Sequence, residues 1–564
     1  MRGPRRWSPN PKLLLVFLWA SLSLGLCSCS GGSGSGDSGG GTAGPGGTPA
    51  EPTLSPDTPM IFFADVEAGA TTGGPSNQGA PISIFGKGFG ATRGSSKVTI
   101  GGVEVAAYLV WGQGNAHNPM LDMVVVQPGL HVTGGVIEIT VEGKKSNEDF
   151  TFTVLPGARV LYVASSGSDS SNLSCAEASP CKTISHAAIT VANPGDVVLV
   201  RGPSLDEGEV WIREVNGDSG ISGAPKVIKT YPGEAVTLPN GSRPVILEAN
   251  YITVSGFQFQ NGKSVNGGGV TNKGNKIIDC TFSGEIGYDA IGTHGDDHLL
   301  AGNVCDLDGA TTGTQGHCYY ISHGKNLQLL WNVAKGSWPG YGIHIYDQRR
   351  AIPDFKREIH DVVVEGNVLR GSDERSGMII AIDDEGGYGN NIDNITVRNN
   401  VFTGNNHHGF LIAGTAKITN IKIYSNTFYQ NGRQGLHISG TANNIQGVEI
   451  KNNLFDITTN SWCTSNCGWF SQSHFEVISA TGIVADRNGY LPGPPATPGA
   501  TDANPVMGTI LFENPALDDW RVKAGGATID QGGLVPVGHD FRGVPRPQGS
   551  GHDIGAFERG PMDP

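Results

Sequence analysis

The chain has 564 residues, a formal net charge of −14, and 16% charged residues, with 85 glycines and 33 prolines. This acidic balance argues against a nucleic-acid partner, because such proteins usually present a basic face. Many turn-forming residues and no long stretch of helical periodicity favour short strands joined by turns.

The N-terminal segment 1–29 is predicted to be a lipoprotein-type export signal. Basic residues precede an apolar run at 13–26, and Cys29 follows as the predicted lipidated residue. An ordinary cleaved signal or an uncleaved anchor is the alternative. Residues 30–57 are rich in Gly, Ser and Pro, as in a flexible linker. We therefore expect an extracytoplasmic protein, held on a membrane by lipid or else secreted.

Residues 58–156 have the pattern of a small β-sandwich. Alternating apolar runs at 82–84, 98–100, 123–126 and 136–141 are separated by turn residues. The motifs are Phe-Gly-Lys-Gly-Phe-Gly at 85–90, Val-Thr-Ile-Gly-Gly at 98–102 and Phe-Thr-Phe-Thr-Val at 150–154. With them the segment resembles an IPT/TIG immunoglobulin-like domain, which implies a spacer or binding module.

A short phrase ending in Asn and an apolar or small residue recurs every 26 to 35 residues along the next segment. Its asparagines are Asn303, Asn332, Asn367, Asn400, Asn426 and Asn453, with Asp279 in the same frame upstream. Such a period indicates one supersecondary unit stacked on itself. Each phrase follows an alternating strand pattern, and an Asn at the same corner of each coil can bond to the next. The repeat predicts an all-β chain with a parallel β-solenoid.

Residues 157–564 resemble secreted right-handed parallel β-helix proteins. The motifs lie at 161–169, 180–188 and 194–202, and closing motifs lie at 519–522 and 553–558. Residues 182–191 are predicted to be an amphipathic helix that caps the first coil, with Ile184, Ala188 and Val191 on one side. The resemblance implies a groove along one face, as in polysaccharide lyases, hydrolases and epimerases.

The cysteines fit an oxidising compartment. Cys175 with Cys181, and Cys463 with Cys467, close short loops and are predicted disulfides. Cys280 and Cys305 lie one coil apart, but their frames predict opposite faces.

Alignment of the coils on their second repeated strand predicts one patch of imidazole and phenol groups. Ile343 and Ile345 point inward, so His344 and Tyr346 point outward, about 4.8 Å from the next coil. The expected patch comprises His294, His317, Tyr320, Tyr341, His344 and Tyr346, and His323, Asp347, Arg349 and Arg350 continue from the strand ends. Ile379, Leu411 and Ala413 are expected to face outward in the same columns. Stabilising side-chain stacks without any function are the alternative explanation.

These residue types suit a lyase or C5-epimerase that acts on an acidic polysaccharide. Such an enzyme needs a base for the proton next to the carboxylate and a cation that neutralises the carboxylate. His344 or His317 is the candidate base, and Arg349 or Arg350 is the candidate cation. The candidate catalytic residues are His344, His317, Tyr346, Tyr320, Arg349 and Asp347, and the candidate substrate-binding residues are His294, His323, Tyr341, Arg350 and His437.

Other functions remain open. A glycoside hydrolase would pair Asp347 with Asp383 or Asp384, and Asp289 is a further acid candidate. Asp383, Asp384 and Glu385 could hold Ca²⁺ through oxygen ligands, or form a solvated acidic turn. A tethered rod could also be a non-catalytic adhesin or carbohydrate-binding protein.

Overall fold

The computed structural model describes residues 58–560 and 563, apart from a set of internal segments. Those segments are 206, 239–242, 261–264, 269–270, 285–288, 308–315, 337–338, 348–357, 384–388, 390 and 459–472.

Three long parallel sheets run through residues 160–507 and form a β-helix, one strand of each sheet per coil. The first sheet contains Val160–Val163, Val197–Val200, Lys226–Thr230, Ile252–Ser255, Lys276–Ile278, Leu299–Ala301, Gly324–Leu330, Glu358–Glu365, Asn391–Arg398, Lys417–Tyr424, Ile445–Lys451 and Ala480–Asp486. The second contains Val210–Arg213, Val245–Glu248, Val265–Asn266, Asp289–Thr293, His317–Ile321, Ile343–Asp347, Met378–Ile382, Phe410–Gly414, Leu436–Ser439 and Phe475–Ile478. The third contains Val236–Thr237, Phe257–Gln260, Thr281–Ser283, Val304–Leu307, Val333–Gly336, Val368–Arg370, Val401–Thr403, Thr427–Tyr429, Leu454–Asp456, Gly489–Leu491 and Val506–Met507.

The interior of the β-helix is apolar because alternate residues of every strand point into it. Val, Ile and Leu from all three sheets form one continuous buried cluster. Aromatic rings stack inside it from coil to coil, with Phe402, Phe428 and Phe455 at centroid separations of 4.8 and 4.7 Å. Identical residues thus fill identical positions of consecutive coils, which fixes the register of the outward residues as well.

The predicted asparagine ladder is present and is longer than the sequence indicated. From Asn303 to Asn453, each side-chain NH₂ donates to the oxygen of the next Asn at 2.9–3.1 Å. Asn453 continues it to Asn488, which donates to Asp502 at 2.7 Å. At the N-terminal end of the ladder, the predicted position of Asp279 was wrong by one residue. Cys280 occupies the ladder position, because its N–H donates to the side-chain oxygen of Asn303. Asp279 instead adopts the left-handed backbone conformation that precedes each ladder position, with φ 51°.

Two small sheets precede the β-helix, as the predicted fold class requires. One contains Met60–Ala64, Ile82–Lys87, Asp122–Gln127 and Ala107–Gln113. The other contains Ala68–Gly69, Thr151–Val154, Gly135–Val141, Lys97–Ile100, Val103–Glu104 and Lys144–Lys145. All their pairings are antiparallel except that of Thr151–Val154 with Ala68–Gly69. The predicted parallel β-helix preceded by a small β-sandwich is therefore confirmed.

The sandwich packs against the outside of the β-helix. Val197, Leu199 and Val227 of the first sheet share a buried cluster with the sandwich. Nζ of Lys229 lies 2.7 Å from the Asp65 carboxylate, and both side chains are buried. Phe62 stacks on Trp331 at 3.7 Å between ring centroids. The described residues from 58 onward consequently belong to one compact unit.

Short helices and a terminal hairpin complete the described fold. The predicted cap helix contains a π-helix at His186–Val191, and 3₁₀ turns lie at Pro75–Asn77, Glu214–Asn216 and Pro515–Leu517. Ile184, Ala188 and Val191 are buried against the first coils, as expected of a cap. The Glu207 carboxylate accepts the N–H groups of Ile184 and Ser185, both at 2.7 Å. The hairpin pairs Phe512–Asn514 with Asp519–Val522.

Two disulfides lie within the described residues. The predicted Cys175–Cys181 bond is confirmed, and a second bond joins Cys305 to Cys318, a pairing that the sequence did not indicate. Cys280 is a buried free thiol and does not pair with Cys305. The predicted opposite faces were wrong, because both side chains lie in the interior cluster. Cys463 and Cys467 lie outside the described residues. In the part of the chain that the structure describes, no helix has the length and apolarity needed to cross a bilayer.

Candidate functional site

One uninterrupted column of outward residues runs along the second sheet from its first strand to its last. Strand pairing places in it, in order, Trp211, Ile246, Asn266, Gly292, Tyr320, His344, Ile379, Leu411, His437 and Glu476. Most of their sequence neighbours, such as Ile343 and Ile345, belong to the interior cluster. The predicted outward position of Ile379 and Leu411 is therefore confirmed.

Five of the predicted residues meet around His344, and we call them the first ring cluster: His317, Tyr320, Tyr341, His344 and Tyr346. The ring of His344 lies 4.3 Å from His317 and 4.9–5.1 Å from the three tyrosines, measured between centroids. The prediction that these rings share one surface is borne out by this packing, although His317 and Tyr320 are buried rather than exposed.

Hydrogen bonds fix the tautomers of the two imidazoles. The backbone N–H of Tyr341 donates to Nδ1 of His317 at 2.9 Å, so a neutral His317 carries its proton on Nε2. This Nε2 lies 3.0 Å from Nδ1 of His344, to which it donates. A neutral His344 therefore carries its own proton on Nε2, and that atom is a hydrogen-bond donor.

Both imidazoles are held neutral near pH 7. Burial lowers the pKa of His317 to about 3, and the positive charge of Arg375 adds to the effect. Burial also lowers the pKa of His344 well below its usual value, with further contributions from His317 and Arg375. The pKa of Tyr341 is raised by burial and moderated by Arg375.

Tyr346 links the first ring cluster to a carboxylate on the next coil. Its hydroxyl donates to Oδ2 of Asp383 at 2.9 Å, and the Thr415 hydroxyl donates to Oδ1 at 3.3 Å. The Asp383 carboxylate can therefore accept a proton from the Tyr346 hydroxyl at the edge of the cluster.

A second ring cluster lies three coils further along the same column, roughly 14 Å away at about 4.8 Å per coil. It comprises His407, His408, Arg433, His437 and Glu476. His408 and His437 stack at 4.7 Å, and Nδ1 of His437 lies 3.1 Å from the Glu476 carboxylate. Burial lowers the pKa of His407 and of His437 to about 4, and Arg433 adds to both shifts.

A line of basic side chains borders this column. Arg375, His407 and Arg433 occupy equivalent positions of three consecutive coils, because the N–H of His407 bonds to the Arg375 carbonyl and the N–H of Arg433 to the His407 carbonyl. Arg375 is exposed, whereas Arg433 is buried. Arg375 acts electrostatically on His317, His344 and His407, so its charge reaches both ring clusters.

Asp289 lies beside the first ring cluster and is paired in register with His317. Burial raises its pKa to about 7, although the N–H of His317 and the charge of Arg243 both oppose the shift. Asp289 is thus a carboxyl group that titrates in the neutral range.

The remaining predicted residues are dispersed. Asp347 is fully buried and lies in the register of Ile343, Ile345 and the interior Ile382, so it faces inward, away from the expected patch. His294 ends its strand against the hydroxyl of Ser322, and His323 lies in the following turn, half-buried. His437 belongs to the second ring cluster. Outside the described residues lie Cys29, Arg349, Arg350, Asp384 and Glu385.

Sequence reasoning missed Arg375, His407, His408, Arg433 and Glu476. A signal existed, because Arg375, His407 and Arg433 each stand two residues before the Gly of a repeated phrase, at Gly377, Gly409 and Gly435. The residues are basic in all three coils, but only the pairing of the coils brings them into one line.

The Ca²⁺ site at residues 383–385 stays a prediction. Of its three carboxylates only Asp383 lies among the described residues, and both of its oxygens already accept hydrogen bonds from hydroxyl groups.

Comparison with known proteins yields structural resemblance only. No protein-family model matches the chain, and no curated protein matches it in sequence. Among solved structures, pectate lyase Pel9A matches at 14% identity over 72% of this chain and 98% of its own, with a TM-score of 0.41. XylC in complex with xylose matches at 11% identity over 71% and 99%, with a TM-score of 0.34.

The A-module of the mannuronan C-5 epimerase AlgE6 from Azotobacter vinelandii matches at 13% identity over 56% of this chain and 91% of its own, with a TM-score of 0.28. Such values describe a general likeness in architecture and carry no argument about a reaction.

Proposed function

We propose that this protein acts on an acidic polysaccharide by a lyase- or epimerase-type reaction at the first ring cluster. The observation that carries the proposal is the combination of neutral imidazoles, three tyrosines and a nearby guanidinium on one outward surface. A reaction that removes a proton next to a carboxylate requires a proton acceptor and a cation near that carboxylate.

Arg375 is the proposed carboxylate-binding group. It is exposed and close enough to lower the pKa of both His317 and His344. When the substrate carboxylate binds to Arg375, its negative charge is partly neutralised. The adjacent C–H bond becomes more acidic, and the negative charge that develops when the proton leaves is stabilised.

His344 is the proposed hydrogen-bond donor to the substrate. Because Nδ1 accepts from His317, the Nε2–H of the neutral ring is the group that can face an oxygen of the substrate. This role differs from the base expected for His344 from the sequence, since its remaining nitrogen already carries a proton.

Tyr346 and Asp383 form the proposed proton-transfer pair. The C–H bond of the sugar breaks, its proton moves to the Tyr346 oxygen, and the phenol proton passes to the Asp383 carboxylate 2.9 Å away. The electron pair left on carbon is delocalised into the carboxylate that Arg375 binds. Tyr341 is the proposed proton donor. Its phenol protonates the carbon in an epimerase, or the leaving oxygen in a lyase.

The line formed by Arg375, His407 and Arg433 supports an anionic polymer as the ligand. Arg375 and Arg433 lie two coils apart and carry positive charge near pH 7, so they can contact negative groups on more than one sugar of a chain that runs along the helix axis. His407 between them is neutral, because burial lowers its pKa to about 4. A neutral glycan would use none of these charges.

A glycosidase with paired carboxylates is less well supported. Asp289, with its raised pKa, and Asp383 are separated by three coil steps, or roughly 14 Å. The two carboxyl groups of glycosidases are at most about 9.5 Å apart. Asp347 is nearer to Asp383 but faces the interior.

A non-catalytic carbohydrate-binding protein is the second candidate. The tautomers favour it, because in the first ring cluster the proton-accepting nitrogens of His317 and His344 are both already engaged. Binding through stacked rings and basic side chains needs no free base.

The expected localisation also remains part of the proposal. An export signal with lipid on Cys29, the linker at 30–57 and an IPT/TIG-like sandwich at 58–156 would hold the β-helix outside the cytoplasmic membrane. Metabolic labelling with palmitate, compared between the wild-type protein and Cys29→Ala, tests the lipid anchor.

The decisive experiment incubates the purified protein with pectate, alginate and other acidic polysaccharides, and with neutral xylan as a control. Unsaturated products detected by ultraviolet absorbance indicate a lyase, and solvent deuterium incorporated at C5 without cleavage indicates an epimerase. Binding of the acidic polymers without either signal would select the non-catalytic alternative, and no binding at all would refute both.

A further inference from the structure

An exposed tryptophan stands at the N-terminal end of the column that contains His344. Trp211 lies on the first strand of the second sheet, and its neighbours Val210 and Ile212 point into the core. Its side chain is 39% exposed, and it is the one aromatic among the described large hydrophobic side chains that are exposed. Leaving an indole in water forgoes the stabilisation that burial would provide, so its position calls for an explanation.

The indole is held in place. The guanidinium carbon of Arg213, the next outward residue of the same strand, lies 3.2 Å from the ring centroid. Nε of Arg213 is in turn 4.0 Å from the Glu248 carboxylate on the following coil. This cation–π contact fixes one face of the ring and lowers the entropic cost of using the rest of it as a platform.

The column positions between Trp211 and Tyr320 carry no aromatic side chain. Ile246 and Asn266 occupy the next two coils, and Gly292 contributes no side chain directly before Tyr320. Five coil steps separate Trp211 from His344, or about 24 Å at about 4.8 Å per coil. An extended ligand can therefore follow the column from one to the other.

We propose that Trp211 is a distal sugar-binding subsite, where one ring of a polysaccharide chain stacks its C–H face on the indole. Stacking on an aromatic face depends on shape and apolar contact and not on the charge of the sugar. The subsite would thus bind the chain far from the reacting sugar and align it with the helix axis. This inference rests on the proposed function, because it assumes that the same chain occupies the first ring cluster.

The test measures binding of size-fractionated oligogalacturonates and oligomannuronates by isothermal titration calorimetry. Tyr346→Phe serves as the parent protein, because it keeps the ring and removes the hydroxyl proposed to transfer a proton. In the parent, affinity should rise when the oligomer becomes long enough to reach Trp211. Adding Trp211→Ala to this parent should weaken the binding of long oligomers about tenfold, equivalent to about 1.4 kcal/mol. The binding of short oligomers should not change. Trp211→Phe, which retains an aromatic face, should preserve most of the gain.

Two outcomes would overturn the inference in distinguishable ways. If Trp211→Ala binds every length as the parent does, Trp211 is not a subsite, while the proposed function stands. If the parent binds no oligomer of either series, the proposed function falls and the subsite with it. An unchanged melting temperature of Trp211→Ala would confirm that any loss of affinity is local.

Discussion

Nε2 of His317 lies 3.0 Å from Nδ1 of His344, across two adjacent coils of the second sheet. The contact exists because strand pairing brings Tyr320 and His344 into register, while the Tyr341 N–H orients the His317 ring. It joins the two histidines in a chain of hydrogen bonds that ends at the Nε2–H of His344. The chemistry proposed here depends on that direction.

Replacement of His344 by alanine should reduce turnover of an acidic polysaccharide by at least about 100-fold, the usual contribution of a positioned proton-donating or proton-accepting group. The melting temperature should change little, because the ring lies on the outside of the wall. His131→Ala, on the exposed surface of the sandwich, is the matched control. Full activity in His344→Ala would remove the first ring cluster from the mechanism.

Arg375→Gln should weaken binding of acidic oligosaccharides about tenfold, since a charge-assisted hydrogen bond is lost. The affinity of this variant should also depend less on salt concentration, because salt screens one ion pair fewer. Binding titrations at two ionic strengths measure both effects. Lys417→Gln removes an exposed charge from the first sheet and should leave affinity unchanged; an equal loss in both variants would indicate net charge alone.

Asp289 should make binding depend on pH around neutrality. Its pKa is raised to about 7, so the group is mainly uncharged at pH 6 and mainly negative at pH 8. The added negative charge beside His317 should repel an anionic sugar, and affinity should fall about threefold as the pH rises through this range. Calorimetry of Asp289→Asn across the same range should show a flat profile. A wild-type profile that the substitution leaves unaltered would exclude Asp289 as the titrating group.

The Cys305–Cys318 disulfide should stabilise the coil that carries His317. It closes a loop of 13 residues, for which loop-closure entropy gives about 3 kcal/mol. Cys305→Ser/Cys318→Ser should therefore lower the free energy of unfolding by about that amount and also reduce activity, because Cys318 directly follows His317. Urea denaturation measures the first effect. Cys175→Ser/Cys181→Ser, far along the chain in the first coils, should cost stability without reducing activity of the folded protein.

The Lys229–Asp65 pair should join the unfolding of the sandwich to that of the β-helix. Lys229→Met leaves a buried carboxylate without its cation, which should cost about 3–5 kcal/mol. Asp65→Asn/Lys229→Met removes both charges and should recover part of the loss. The exposed pair Lys145–Glu138 provides the control, because Lys145→Met should cost less than about 1 kcal/mol. Separate transitions of the sandwich and β-helix in the wild-type protein would contradict the coupling.

The repeat alone sufficed to predict the β-helix. The Asn phrases from Asn303 to Asn453 carry the ladder, and the alternation around Ile343 and Ile345 tells which residues face outward. Asn488 was missed because Gly489 follows it, where the recognised phrases have Val, Thr or Leu. Asp279 was assigned one residue out of frame because Asp and Asn both accept hydrogen bonds.

The candidate site was predicted in part, for a physical reason. His317, Tyr320, Tyr341, His344 and Tyr346 could be grouped because residues one coil apart in the same frame must be neighbours. Asp347 was assigned to the same surface from its position at a strand end, but the strand continues through it and alternation turns it inward. Tautomers, pKa shifts and the reach of Arg375 depend on burial and distance, which no spacing in the sequence supplies.

Local periodicity in the amino-acid sequence is enough to predict the solenoid, its turn positions and the inward or outward sense of most strand residues. Folding of the whole chain establishes the docking of the sandwich on the first sheet, the Cys305–Cys318 bond and the continuous column from Trp211 to Glu476. Those relations join residues from different coils and domains, and their geometry depends on how many residues each intervening loop contains and where the chain packs.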